Sequence, residues 1–251
     1  SSYPFALNPN SWYLVGFTFN GVMLNEYVNG NLYCNISYSG SIPASALPVA
    51  FGGPEDNDGN VNGDLANVQI YNTVLTPSQI AQLYQEGLSA PPFSSGLVAW
   101  WPLDGNSNDY SGNGNNGTLY GSASFVAPGV GNYDGYQSSI LAAEFNGANS
   151  MIITPISFNT PSFAAVLWVN GASTSKMTSG NGYTIFNSIG ANNFQMWLNN
   201  GGSLGAPVGS GDEEIGFGTN LYHGYGINGS SWNMLAVSVS SGKAGLYASG
   251  A

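Results

Sequence analysis

Two stretches of this chain gather oxygen ligands around glycine turns. The first is PEDNDGNVNGD, residues 54–64, with Asp56, Asp58 and Asp64 beside Glu55 and the amides of Asn57, Asn60 and Asn62. The second is LDGNSNDYSGN, residues 103–113, with Asp104, Asn106 and Asp109. Carboxylate and amide oxygens spaced through a glycine-bearing loop are what a hard cation such as calcium takes. Neither stretch has the full EF-hand spacing with its distal glutamate. The same residues also build Asx turns that need no metal. Calcium is the cofactor to which these loops point, and nothing in the sequence requires one.

Catalysis finds less support. The densest acidic run is GDEEIGF, where Asp212, Glu213 and Glu214 are adjacent. Glycoside hydrolysis needs two carboxylates facing each other. Neighbours on a strand point to opposite faces, and the glycine flanks predict a loop. His223 is the one histidine and Cys34 the one cysteine, so a Ser-His-Asp triad, a transition-metal site and an intrachain disulfide all lack support. Cys34 is expected to be a small buried strand residue. The chain reads as non-enzymatic.

Aromatic residues are the other candidates. Trp100 and Trp101 are adjacent, so one ring should face in and one out, and Trp101 is taken as the outward one. Tyr110, Tyr133, Tyr136, Tyr222 and Tyr225 sit among glycines and asparagines, where amphipathic rings serve glycan or partner contacts. Trp12, Trp168, Trp197 and Trp232 lie in alternating runs and belong to the core. Sequons occur at Asn35 (NIS), Asn116 (NGT) and Asn228 (NGS), which fits a secreted glycoprotein.

These residues need elements to hold them. Residues 64–87, DLANVQIYNTVLTPSQIAQLYQEG, predict a half-buried strand at Leu65, Val68 and Ile70, then a short helix near 77–86. Thr76 is the N-cap, Pro77 the first helical residue and Gln79 the capping-box partner; Gly87 stops the helix. Ile80, Leu83 and Tyr84 form its apolar face. A helix this short must be pinned on a sheet. Elsewhere, runs of Val, Ile, Tyr, Phe and Trp alternate with Gly, Asn and Ser clusters, an all-β signature. At 43% hydrophobic residues there is material for a core in 251 residues.

Charge removes some partners. Two basic residues face thirteen acidic ones, for a net charge of −11. Nucleic acid and anionic membrane surfaces both need lysine and arginine, so both are excluded as partners. No apolar run is long enough to span a bilayer. With 6% charged residues, the surface is built from Asn, Ser, Thr and Gly and can pack against copies of itself with little charge desolvation.

One hairpin occurs twice. NSWYLVGFTFNGVMLNEYVNG near the start matches SSWNMLAVSVSSGKAGLYASG near the end, at a constant offset of 220 positions from Trp12 to Trp232 and from Tyr27 to Tyr247. Internal repeats come before any assignment of fold. The unit opening LVAWWPLDGNSNDYSGNGNNGTLYG, with AAEFNGANSMIITP behind it, resembles the start of laminin-G-like, concanavalin A-like jelly rolls. The Trp…Tyr-x-Asn-Gly hairpin resembles their middle, and DLANVQIYNTVLTPSQIAQLY their end. The resemblance implies an all-β fold, an antiparallel two-sheet jelly-roll sandwich with one short helix. It also implies extracellular or cell-surface placement, glycan or protein binding, calcium in some members and a structural role in others.

The order is inverted. Residues 1–88 resemble the C-terminal half of one jelly roll, 89–96 a Pro/Ser linker, and 97–251 the N-terminal part of another. Three arrangements would complete the sheets: closure within one chain with a surplus hairpin, a covalent array with a period near 220, or completion by a neighbouring copy. The last is the leading expectation, a head-to-tail homo-oligomer forming an extracellular filament or surface layer. The alternative is a carbohydrate-binding or adhesion module of a larger protein.

Overall fold

The computed structural model describes residues 11–37, 48–53, 61–127, 140–157 and 162–171, and five further strands between residues 183 and 248. The alternating runs become β1 (Trp12–Phe19), β2 (Met23–Val28), β3 (Asn31–Ser37), β4 (Pro48–Phe51) and β5 (Asn62–Tyr71). Helix α1 (Pro77–Glu86) follows. Then come β6 (Leu97–Trp101), β7 (Thr118–Tyr120), β8 (Ser124–Val126), β9 (Ala142–Asn146), β10 (Met151–Ser157) and β11 (Phe163–Gly171). The last five are β12 (Tyr183–Ser188), β13 (Phe194–Asn199), β14 (Glu214–Thr219), β15 (Leu235–Ser240) and β16 (Lys243–Ala248).

The strands make two antiparallel sheets and a separate hairpin. The first sheet runs β3-β2-β1-β11-β5-β9-β8, with β6 also pairing β5. The second runs β14-β13-β12-β4-β10-β7. The fold is thus all-β with a single short helix among the described residues, as a jelly-roll sandwich requires. One core lies between the sheets and includes Val15, Phe17, Leu65, Val68, Trp101, Phe145, Ile152 and Leu167. Phe51 of the second sheet meets Trp101 of the first edge-on at 4.9 Å.

A second cluster covers the outer face of the first sheet. It joins Trp12, Leu14, Ala66 and Trp168 to Ile80 and Leu83 of α1. Trp12 and Trp168 are therefore buried as expected, but beneath the helix and not between the sheets. The helix forms as its sequence predicts: Gln79 N–H donates to Thr76 Oγ1 at 3.3 Å, and Thr76 N–H donates to Gln79 Oε1 at 2.9 Å. Its far end is tied to the sheet, because the Gly87 carbonyl accepts from Trp168 Nε1 at 3.1 Å and Asn67 Nδ2 at 2.8 Å. Trp197 lies in β13 with its side chain outside the described atoms, and Trp232 lies outside the described residues.

The segments on either side of residues 89–96 share one sheet. β11 sits between β1 and β5, and both β6 and β9 pair with β5. The chain's own front segment supplies the strands that the rear segment lacks. The repeated hairpin, β15–β16, is left as a two-stranded sheet.

Candidate functional site

The segment from Val98 to Gly117, most of β6 and the loop behind it, is organised by one carboxylate. Asp109 Oδ1 accepts from the backbone N–H groups of Trp100 at 2.9 Å and Ser111 at 2.8 Å. Asp109 Oδ2 accepts from Asn115 N–H at 2.8 Å and from the Ser111 hydroxyl at 2.9 Å. Burial pushes this carboxyl up, but those donors outweigh it and hold its pKa below the ordinary value. Its oxygens are engaged by donors, so Asp109 acts here as the loop's anchor. Asp104, the other expected ligand in this loop, is exposed, and its Oδ1 accepts from Leu141 N–H at 2.8 Å. Among the described residues no group of three His, Cys, Asp or Glu side chains converges as a metal site.

The adjacent tryptophans divide as alternation demands, in the opposite sense to the one expected. Trp101 is fully buried, and its Nε1 donates to the Asn115 carbonyl at 2.8 Å. Trp100 faces outward, half-buried, because β6 pairs with β5 in a register that turns Trp101 toward the core. Trp100 Nε1 donates to Asn67 Oδ1 at 2.6 Å, and its ring meets Tyr110 edge-on at 6.0 Å. Tyr110 is 53% exposed, and its hydroxyl accepts from Asn106 Nδ2 at 3.1 Å. The outward aromatic pair is therefore Trp100 with Tyr110. Asn67 had no place among the expected residues. It takes a left-handed φ of 51° at an irregularity opposite β11, which an asparagine tolerates.

The remaining expected residues are scattered. Asp64 lies on β5 directly across from Glu144 of β9, well away in sequence from the Asp104 loop. Burial, reinforced by the Glu144 carboxylate, pushes Asp64 up to about 6. Asn35 is exposed on β3. Asn116 is exposed, and its Oδ1 accepts from Asp109 N–H at 2.9 Å. Asp56, Asp58, Tyr133, Tyr136, Tyr222, Tyr225, Asn228, His223 and Asp212 lie outside the described residues. Glu214, expected in a loop, opens β14.

One further carboxyl stands in the core. Glu26 is 4% exposed, and its Oε1 has no hydrogen-bond partner. β2 sets it across from Phe17. Burial pushes its pKa up to about 8.

A two-sheet antiparallel sandwich capped by one helix narrows the comparison with known families. Residues 2–81 match the concanavalin A-like lectin/glucanases superfamily. The matched stretch runs from before β1 into α1, so it holds the first hairpin, β5 and the start of the helix. No curated protein matches the chain. Laminin-G-type modules of this superfamily are typically non-catalytic, of carbohydrate-binding or adhesion type, and commonly extracellular. No helix among the described residues is long and apolar enough to cross a membrane.

Proposed function

We propose that this laminin-G-type chain is a non-enzymatic structural unit of an extracellular surface assembly, a filament or surface layer, whose sandwiches are joined through hairpins of one kind. The repeated hairpin carries the reading. In β1–β2, Val15 pairs with Val28, Gly16 with Tyr27 and Phe17 with Glu26. In β15–β16, Leu235 pairs with Ala248, Ala236 with Tyr247 and Val237 with Leu246. Sequence offset and register agree at every one of these pairs.

β1 occupies the β11 edge from Trp12 to Phe19, whereas β15–β16 pairs with no third strand among the described residues. β15 lies near β14 and β3 without pairing with either, and a two-stranded hairpin by itself is marginal in water. One β11 edge takes one hairpin, and each unit carries two. The surplus hairpin fits the β11 edge of a second copy, on a neighbouring chain or further along the same one. Exchange there has terms of both signs, and Ala236 in place of Gly16 adds one against it, since a Cβ there would lie 3.1 Å from Val166 Cγ2. Leu246 would replace the buried Glu26, which favours it; Val237 and Val239 would replace Phe17 and Phe19, which opposes it. A head-to-tail contact of this kind stays open and propagates.

The test is a cross-link. β1 sets Phe17 opposite Ala165, so the rear hairpin would set Val237 there. In a Cys34→Ser background, Ala165→Cys with Val237→Cys should oxidise into a ladder of multimers on non-reducing gels. Negative-stain images of the concentrated protein should show fibres or sheets. Monodisperse monomers with no inter-chain cross-link at high concentration would overturn the reading.

A second reading, a carbohydrate-binding or adhesion module, is favoured by the outward pair of Trp100 and Tyr110, since such rings stack on sugar faces. Glycan binding that is lost in Tyr110→Ala, from a chain that stays monomeric, would put this reading first. Among the described residues, Asn35 and Asn116 are exposed sequon residues that would carry glycans on a secreted protein.

A further inference from the structure

The outer face of the first sheet carries a polar row that the helix-covered cluster does not absorb. Antiparallel register sets Asn170 of β11 opposite Asp64 of β5, Asp64 opposite Glu144 of β9, and Glu144 opposite Ser124 of β8. All four lie on one face. Their strand neighbours Leu65, Ala143 and Val169 belong to the core between the sheets, whereas Ala66, Ala142 and Trp168, two positions away, belong to the outer cluster. Side chains directly opposite on one face have Cβ atoms about 4.5–5.5 Å apart. Two carboxylates and an amide are thus adjacent.

Three members of the row, Asp64, Glu144 and Asn170, bring acceptor oxygens. Asp64 is half-buried and shares its surroundings with the Glu144 carboxylate. Glu144 Oε2 accepts from the Ser124 hydroxyl at 3.2 Å. Asn170 is 6% exposed, and its Oδ1 is buried with no hydrogen-bond partner. An orphaned amide oxygen beside a pair of carboxylates lacks a donor or a cation, and burying such groups without either is costly. No lysine, arginine or histidine occurs in any strand of this sheet.

We propose that Asp64, Glu144 and Asn170 form a binding site for a hard divalent cation with the ligand preferences of calcium. Two carboxylates and one amide carbonyl, with water completing the shell, are the oxygen donors such an ion takes, and calcium tolerates the irregular geometry that side chains from separate strands impose. The ion would neutralise the carboxylate pair and give the Asn170 oxygen a partner. It would also fasten β11, β5 and β9 at one end of the sheet. The site is independent of how copies of the chain assemble.

Terbium luminescence with the purified chain tests it. β1 sets Trp12 across from Asn170, so an indole stands beside the site to sensitise a bound lanthanide. Terbium should give saturable emission on excitation of tryptophan. Calcium should displace it and raise the thermal midpoint. Asp64→Asn and Glu144→Gln should each weaken binding at least tenfold, while Asp104→Asn leaves it unchanged. The two variants lose like-charge repulsion and should fold at least as well as the parent without metal, which circular dichroism checks. Absence of saturable emission, or binding unchanged in both variants, would overturn the site. So would a thermal midpoint that calcium leaves unmoved.

Discussion

Asn67 accepts the indole N–H of Trp100 through Oδ1 at 2.6 Å and donates through Nδ2 to the Gly87 carbonyl at 2.8 Å. One side chain on β5 thus ties β6 to the end of α1. It can do so because its backbone is left-handed, with φ 51°, at an irregularity in the ladder with β11. Asn67→Ala should remove both bonds, leave the buried Gly87 carbonyl with fewer donors, and place a non-asparagine residue at positive φ. A buried polar group left unsatisfied costs about 1–3 kcal/mol, and urea unfolding should show a loss of that size. Asn67→Asp should do no better, because it cannot donate to Gly87.

Glu26 makes stability fall as pH rises. Burial holds its folded-state pKa at about 8, above the 4.5 of a free side chain. Below the unfolded value both states are protonated and the full stability is present. Between the two values the unfolded chain releases its proton while the folded one keeps it, so stability is lost until pH passes about 8. Asp64, pushed up to about 6, adds to the slope with the same sign. A tenfold difference in proton affinity between the folded and unfolded chain is worth about 1.4 kcal/mol. Glu26→Gln should flatten most of the decline in denaturation midpoint between pH 5 and 8, as read by chemical unfolding at stepped pH. Glu26→Leu, the residue at the matching position of the rear hairpin, should stabilise the fold at neutral pH.

Much of the local structure was legible in the sequence because it depends on near neighbours. Thr76, Pro77, Gln79 and Gly87 set a helix whose bounds, Pro77–Glu86, coincide with the expected ones. Alternation showed that Trp100 and Trp101 must diverge. It could not say which faces the core, because the β5–β6 register decides that and its partner strand lies some thirty residues away. The signal for Glu26 was present: alternation puts it on the face of Leu24 and Val28, a charged group in an apolar slot. Asp64 was singled out within its own loop, yet its neighbours on the sheet, Glu144 and Asn170, come from β9 and β11. No local pattern carries such long-range register.

Asp109 should act on stability with the opposite sign to Glu26. Burial raises its pKa, but the N–H groups of Trp100, Ser111 and Asn115 and the Ser111 hydroxyl lower it further, to below the ordinary value. Its contribution is present above the unfolded carboxylate pKa and is lost as pH falls through the lower, folded one. Asp109→Asn loses acceptor capacity for about half of these donors and should cost on the order of 2 kcal/mol. The parent should lose midpoint on acidification more steeply than the variant, measured by thermal unfolding. With Glu26 acting from the other side, maximal stability should fall on the acid side of neutrality. Calcium should not rescue Asp109→Asn, since the carboxylate anchors backbone and not metal.

Gly30 offers a way to separate folding from assembly. It turns the β2–β3 connection at φ +79°, and a Cβ there would lie 2.9 Å from Tyr84 Cβ and 3.2 Å from Ala81 Cα, both on α1. Gly30→Ala therefore combines left-handed strain, about 1–2 kcal/mol for a residue with a side chain, with overlap against the helix backbone. It should lower the thermal midpoint of the isolated chain. Gly250 stands at the same 220-residue offset behind the rear hairpin. If that hairpin docks on the β11 edge of a second copy in the register of β1, its turn must pass the α1 of that copy as closely as Gly30 passes its own. Gly250→Ala should then leave the midpoint of dilute monomer unchanged while shifting assembly, read by light scattering, to higher concentration. Equal assembly of Gly250→Ala and parent would mean that the rear hairpin does not take the place of the front one.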